Sequence, residues 1–283
     1  MTDLWRTDAT AGRRDSAPGV TSLRALGARF DWETKCRVAE SDGGRLLGAV
    51  LVTSRATPDG VLANMDVTGS DEVTPDLVDW ARRFSQAAGA FCVQIFVGRS
   101  HLPDMTRLGF HKARPWWRMD RSLRTPLPPV EPADGYELFD GKAARPGSWG
   151  YLHNNSFADH WRFAPRSEEE MLSGKRPELC LMAVAKANAA PAAVTIGMIE
   201  TYPDDPRPQP VGLISSVGTI PEHRRRGLAG WLVAEILGRL RKGGAAHASL
   251  YVDGLNETGA PAVYRRLGFE LAFEADVWEA DLA

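Results

Sequence analysis

Between Thr219 and Leu232 the chain reads T-I-P-E-H-R-R-R-G-L-A-G-W-L, and few folds accommodate such a stretch. The apolar run before it, V-G-L-I-S-S-V-G at 211–218, predicts a strand, and Pro221 ends that strand because it has no N–H to give a ladder. Leu228, Trp231, Leu232, Ile236 and Leu240 then recur at three- and four-residue spacing, which predicts a helix over 228–242 with one apolar face. A turn that opens a helix carries unpaired N–H groups at the positive end of the helix dipole, where a pyrophosphate is a common guest. Small residues at 227 and 229 let the backbone approach such an anion. A solvated, basic helix start fits the same residues.

A second feature is repetition. H-A-S-L-Y-V-D-G (247–254) alternates as a strand does and leads into N-E-T-G-A-P-A-V-Y-R-R-L-G-F (256–269). In the first half Leu77, Val78, Ala81, Phe84 and Ala88 mark a helix, A-F-C-V-Q-I-F-V (90–97) reads as a buried strand, and R-L-G-F (107–110) and W-W-R-M-D (116–120) follow. The second half repeats that order with helix 228–242, strand 248–252, R-L-G-F (266–269) and V-W-E-A-D (277–281). Such recurrence predicts a duplicated domain. Prolines 126, 128, 129 and 132 predict an extended spacer, so the expected division is 1–124, a linker at 125–134, and 135–283.

The copies differ where the anion would bind. The first half has D-V-T-G-S-D-E-V-T-P-D-L (66–77) in place of the basic turn, and Asp71 and Glu72 would repel a phosphate there. Its Asn-x-x-Gly-Ala segment is missing, and the few residues before D-W-E-T-K-C-R-V (31–38) leave little room for opening helices. This half reads as a domain that kept its core and lost its anion site; binding through another loop is the alternative.

Composition narrows the function classes. A chain of 283 residues, 43% hydrophobic and 25% charged, has the make-up of a soluble globular protein with room for two domains. A net charge of −2 offers no long-range attraction for nucleic acid or an anionic membrane, although Arg224, Arg225 and Arg226 form a local basic patch. Cys92 and Cys180 lie within apolar runs and read as buried, and none of the three cysteines has metal-ligand spacing. The first residues, M-T-D-L-W-R-T-D-A-T, are too polar for a signal peptide, and no apolar run approaches the ~18 residues of a membrane span. The expected location is cytoplasmic.

Strand, Arg-x-x-Gly-x-Ala turn, helix, strand, Asn-x-x-Gly-Ala, Tyr264 and Leu-Gly-Phe, in that order, resemble the GNAT acyltransferase superfamily over residues 134–283. The paired plan, with L-Y-V-D-G-L-N at 250–256 and Tyr264 eight residues after Asn256, is similar to its mycothiol synthase-like tandem members. Serines 215 and 216 stand where that group places a carboxylate base, which sets the chain apart from mycothiol synthase itself. The resemblance implies an α/β (α+β) fold of two tandem GNAT-like domains, each a mixed, mostly antiparallel twisted sheet flanked by helices. It implies direct transfer of acetyl from acetyl-CoA to the primary amine of an amino sugar, amino acid or natural-product amine, in a ternary complex, by a monomer or homodimer. Another acyl-CoA or an aminoacyl-tRNA as donor, and a non-catalytic CoA-binding or scaffold protein, are the alternatives.

On that resemblance the backbone of Val217, Gly218 and Thr219 pairs with the pantetheine arm and the acyl carbonyl. Arg224, Arg225, Arg226, Gly227, Leu228, Ala229 and Gly230 wrap the pyrophosphate. Asn256 lies beside the arm, makes an Asx turn, or does both. If 260–267 is helical, Val263 and Leu267 face the core and Tyr264 faces the cleft, where a phenol of pKa ~10 stays protonated and donates to the leaving thiolate. A core tyrosine fits as well. Glu200 is a candidate base, and equally a hairpin residue; a water chain would also serve. The acceptor side falls to His153, Asn154, Phe157, His160 and Trp161, with the two histidines as mobile-proton groups or as simple packing.

Overall fold

The computed structural model describes residues 1–17, 19–27, 30–99, 104–143, 147–201 and 207–282. The first half runs α1 (Thr2–Thr10), α2 (Val20–Gly27), α3 (Trp32–Lys35), β1 (Cys36–Glu40), β2 (Leu46–Thr57), β3 (Gly60–Gly69), α4 (Thr74–Ala87), β4 (Ala90–Gly98) and β5 (His111–Ser122). The second runs β6 (Tyr136–Asp140), α5 (Ser148–Ser156), α6 (Glu168–Leu172), β7 (Cys180–Ala185), β8 (Pro191–Glu200), β9 (Val211–Thr219), α7 (Leu228–Lys242), β10 (His247–Asp253), α8 (Ala260–Arg266) and β11 (Glu270–Asp281). The expected helix over 228–242 is α7, and its five apolar positions are all buried. Three short helices precede β1, so the opening of the first half is fuller than its length suggested.

All the strands form one sheet, in the order β1-β2-β3-β4-β11-β5-β10-β9-β8-β7-β6. Only β3 with β4 and β9 with β10 run parallel; the other neighbours are antiparallel. The last strand of each half sits inside the other. β11 lies between β4 and β5, and β5 lies between β10 and β11. The Pro-rich stretch 126–133 carries no helix or strand, as expected of a spacer, yet it does not mark a break in the sheet.

The cores follow the same exchange. Met119 and Leu123, from β5 and just after it, join the apolar cluster beneath α7 and α8. Ala280 of β11 joins the cluster beneath α4. A third cluster, with Trp149 and Leu152 of α5 against Val194 and Ile196 of β8, covers the opposite face of the second half. Cys92 and Cys180 are buried in these layers.

Candidate active site

β9 and β10 pair only as far as Ile214 and Leu250. A register shift at Ile196/Gly197 of β8 leaves Ser215 bulged, and β9 then follows β8 to Thr219 while β10 follows β5 to Asp253. The strands therefore part, and the β10-facing edge of residues 215–219 has no strand beside it. Val217, Gly218 and Thr219 are on that edge. At Gly218 a Cβ would lie 2.7 Å from Ser156 Cβ and 2.9 Å from the Phe157 ring, so glycine is what lets the end of α5 close against β9.

After Thr219 a single 3₁₀ turn, Pro221–His223, is followed by two left-handed residues, Arg225 (φ 64°) and Gly227 (φ 78°), before α7 begins. Glycine adopts this conformation without strain and opens the turn outward. Among the described residues, the N–H groups of 225–230 meet no acceptor, and the start of α7 has no side-chain cap. Arg225, Arg226 and Gly227 are exposed. Free donors at a helix start are a setting that suits an anion.

Arg224 has a different task from the one expected of it. Its Nε donates to Thr219 O (3.1 Å), Nη2 to Ser156 O (3.1 Å), and both Nη groups grip Asp159 (2.6 and 2.9 Å). Hydrogen bonding to Asp159 raises the arginine's pKa and holds the Asp159 carboxyl below its ordinary range. The guanidinium ties the turn to the loop after α5, and Arg225 and Arg226 are the arginines of the turn that stay exposed.

Asn256 makes the Asx turn. Its Oδ1 accepts from Thr258 N (3.0 Å) and Thr258 Oγ1 (2.5 Å), while Nδ2 lies 3.5 Å from His160 Nε2. Tyr264 is 6% exposed and packs edge-on to Phe269 within the core beneath α7, whereas Val263 is only half-buried. The expected facing of these two neighbours is thus reversed: the Tyr264 ring packs in the core and Val263 is the more exposed of the two. Burial pushes the phenol's pKa up. Glu200 is not brought to the site. It pairs with Val211 at the opposite end of β9 from Thr219, eight strand steps or about 25 Å away.

On the acceptor side, His153 is buried against Phe157 (4.9 Å) and Phe163 (6.4 Å), and its Nδ1 meets no partner among the described residues. Burial and then the nearby Arg166 charge lower its pKa to about 4, so it is neutral at physiological pH. Asn154 is taken up in closing the loop: Nδ2 donates to Arg166 O (3.1 Å) and Oδ1 accepts from Arg166 N (3.0 Å). Phe157 and His160 meet edge to face at 5.8 Å, and Trp161 lies under the Arg114 guanidinium at 5.3 Å. Arg114 in turn donates to Asp253, which is 2% exposed at the end of β10. Sequence reasoning missed Arg114, Asp159, Arg162 and Asp253. Only Asp253 left a trace, as the one carboxylate closing an otherwise apolar strand.

The first half parts its strands too, after Met65 and Ile95. There the N-terminal segment fills the gap. Gly98 N donates to Arg13 O (2.9 Å), Asp8 Oδ2 accepts from Thr68 Oγ1 (2.5 Å) and Gly69 N (3.3 Å), and Arg13 pairs with Asp8 and Asp71. A cavity of about 720 Å³ remains beside it, between Met65, Val97, Met105, Trp116 and Tyr251. Among the described residues no group of His, Cys, Asp and Glu could hold a metal ion, and no helix is long and apolar enough to cross a membrane.

Comparison with known proteins agrees with this geometry. Residues 116–269, more than half of the chain, match the model of the Acetyltransferase (GNAT) family. A protein named mycothiol acetyltransferase from Thermobispora bispora is 33% identical over 59% of this chain and 59% of its own length. A second, from Salinispora arenicola, is 31% identical over 70% of this chain and 61% of its own. The chain thus spans about three fifths of these relatives. Among solved structures, a GCN5-related N-acetyltransferase from Sphaerobacter thermophilus superposes with a TM-score of 0.80 at 22% identity, covering 97% of this chain and 89% of that one. A tandem GNAT protein from the clavulanic acid biosynthesis pathway gives 0.68 at 20%, covering 100% and 94%. At such identities the structures speak for the fold alone.

Proposed function

The chain belongs to the GNAT acetyltransferase family, and from that premise we propose that its second half moves acetyl from acetyl-CoA to the primary amine of a small molecule, directly and in a ternary complex. The free N–H groups of 225–230, opening α7 beside parted strands, carry this reading. They suit the pyrophosphate, and the open edge at 217–219 suits the pantetheine amides and the thioester carbonyl. An amino sugar, amino acid or natural-product amine fits the acceptor wall of Phe157, His160 and Trp161; the relatives' printed name, mycothiol acetyltransferase, supports a small-molecule acceptor.

Attack requires a neutral nitrogen on the carbonyl carbon. The C–N bond forms, the C–S bond breaks, and the nitrogen's extra proton ends on the thiolate. Burial keeps the Tyr264 phenol protonated; in this reading its hydroxyl, on a ring that otherwise packs in the core, donates a hydrogen bond to the thiolate, and the proton itself comes from the ammonium formed by the attack. Glu200 lies too far away to act as base. His160 and Asn256 flank the path by which the amine would enter.

Calorimetry with acetyl-CoA should give one site per chain, and Gly227→Glu, which sets a carboxylate against phosphate, should weaken it at least about a hundredfold. Two equivalent sites, or binding untouched by that substitution, would overturn the assignment.

A further inference from the structure

The loop between α5 and α6 is held at both ends by an arginine and a carboxylate. At one end Arg224 of the turn grips Asp159, as described. At the other, Arg162 reaches to β11 where that strand lies among the strands of the first half. Its Nε and Nη2 form a fork on Glu279 Oε1 and Oε2, both at 3.0 Å, where β11 runs beside β4. Glu279 is 3% exposed, and its Oε1 also accepts from Gln94 Nε2 of β4 (2.7 Å). Burial opposes its charge, yet Arg162 and Gln94 hold the carboxyl below its ordinary range. The guanidinium also lies 5.0 Å over the Phe91 ring, and Asp59 stands 3.6 Å away.

Arg162 is also one of only three non-glycine residues with positive φ among the described ones, at 53°. A left-handed arginine costs about 1–2 kcal/mol and persists only where surrounding contacts over-determine it. Here the forked pair and the aromatic face supply those contacts. The backward turn they enforce puts Trp161 between Arg114 and Arg162, and keeps His160 beside Asn256.

We infer that Arg162, locked to Glu279 within the first half's sheet, is a positioning residue that holds the acceptor loop shut over the thioester. The first half then contributes a wall of the acceptor site without binding cofactor. This inference rests on the acetyltransferase reading for what the loop covers, and its test separates the two. In the full-length protein, Arg162→Ala and Glu279→Gln should raise hydrogen exchange across 157–167 at least about tenfold, since breaking one partner of a buried pair is strongly destabilising locally. Exchange in β7 and β8 should stay as it was. With the loop loosened, water reaches the thioester: acetyl-CoA incubated without amine should yield acetate and CoA several times faster, while the calorimetric Kd for acetyl-CoA stays within about threefold. Arg162→Lys keeps the charge but loses the fork, and should fall between; it carries the test if the alanine variant fails to fold. Unchanged exchange in 157–167, or faster exchange with unchanged hydrolysis, would overturn the positioning role. Failure of the unaltered protein to bind acetyl-CoA would instead overturn the function proposed above.

Discussion

In the second half, β9 and β10 separate after Ile214 and Leu250, and the gap between them stays open beside a run of free N–H groups. In the first half, β3 and β4 separate after Met65 and Ile95, and residues 8–13 lie across the gap, with Arg13 O taking the Gly98 N–H. The same correspondence reaches the next motif. Phe269 N donates to Tyr264 O at 3.0 Å, and Phe110 N donates to Met105 O at 3.0 Å; Gly268 and Gly109 follow at φ 81° and 79°. Tyr264 and Met105 thus hold equivalent buried positions, one with a hydroxyl and one with a thioether. A parted pair of strands is therefore a property of the fold. Chemistry depends on what the sequence leaves in the gap.

The largest expected effect concerns whether the halves exist apart. A chain beginning at Glu131 lacks β4 and β5, which leaves one edge of β10 and both edges of β11 bare. It should aggregate and show no cooperative unfolding by circular dichroism. A soluble, cooperatively folding fragment would break the comparison at its root, since each half would then need nothing from the other.

Next comes Tyr264. Tyr264→Phe keeps the ring against Phe269 and removes the hydroxyl, so the melting temperature should hold while turnover falls about 10²-fold, the scale of losing one donor to developing charge. Tyr264→Met, which copies the first half, should do the same. A lower melting temperature with normal turnover per folded molecule would make this tyrosine a core residue like Met105.

A smaller effect belongs to the filled gap. A Cβ on Gly98 would come 2.0 Å from Gly12 O, so Gly98→Ala must displace the N-terminal segment. We expect a stability loss of about 1–3 kcal/mol by denaturant titration, with acetyl-CoA still binding once and as tightly. A second acetyl-CoA site in that variant would show that residues 8–13 alone had kept one closed.

Least visible at neutral pH is an effect confined to the acceptor wall, a dependence of stability on acid pH. His153 has a folded pKa of about 4 against 6.5 unfolded, so the unfolded chain binds the extra proton between those values. The stability its burial supports is complete above pH 6.5 and is lost as pH falls toward 4, by at most about 3 kcal/mol. His153→Phe should flatten the melting temperature over that window. A slope unchanged by the substitution would assign the pH dependence to other groups.

The sequence disclosed what periodicity encodes. Leu228 to Leu240 mark α7 because a helix repeats its buried face, and the twin R-L-G-F turns announced the repeat. Partner choice was hidden. W-W-R-M-D and V-W-E-A-D alternate alike, and alternation assigns faces without naming neighbours, so the crossing of β5 and β11 could not be read. Arg224 and Glu200 were misjudged for a related reason: the arginine's partner lies in a loop 65 residues earlier, and which end of a strand meets the site depends on the direction in which the sheet runs it. Tyr264 and Val263 are adjacent and both partly or wholly buried, so apolar spacing alone did not show which of them is the deeper.

The position of β11 also has a consequence for how the molecule is made. Residues 270–281 are synthesised after both strands they pair with, yet they form a central strand with both edges paired. Until they emerge, β4 and β5 wait with the edges that will receive them exposed, so the nascent chain carries sticky strands while the other strands of the second half are made. Closure of the sheet is thus deferred until β11 is made, and a chain that stops short of it has a sheet with a hole at its centre. Many contacts also join residues more than 150 positions apart, such as Gln94 with Glu279, which slows the search for the native pairing.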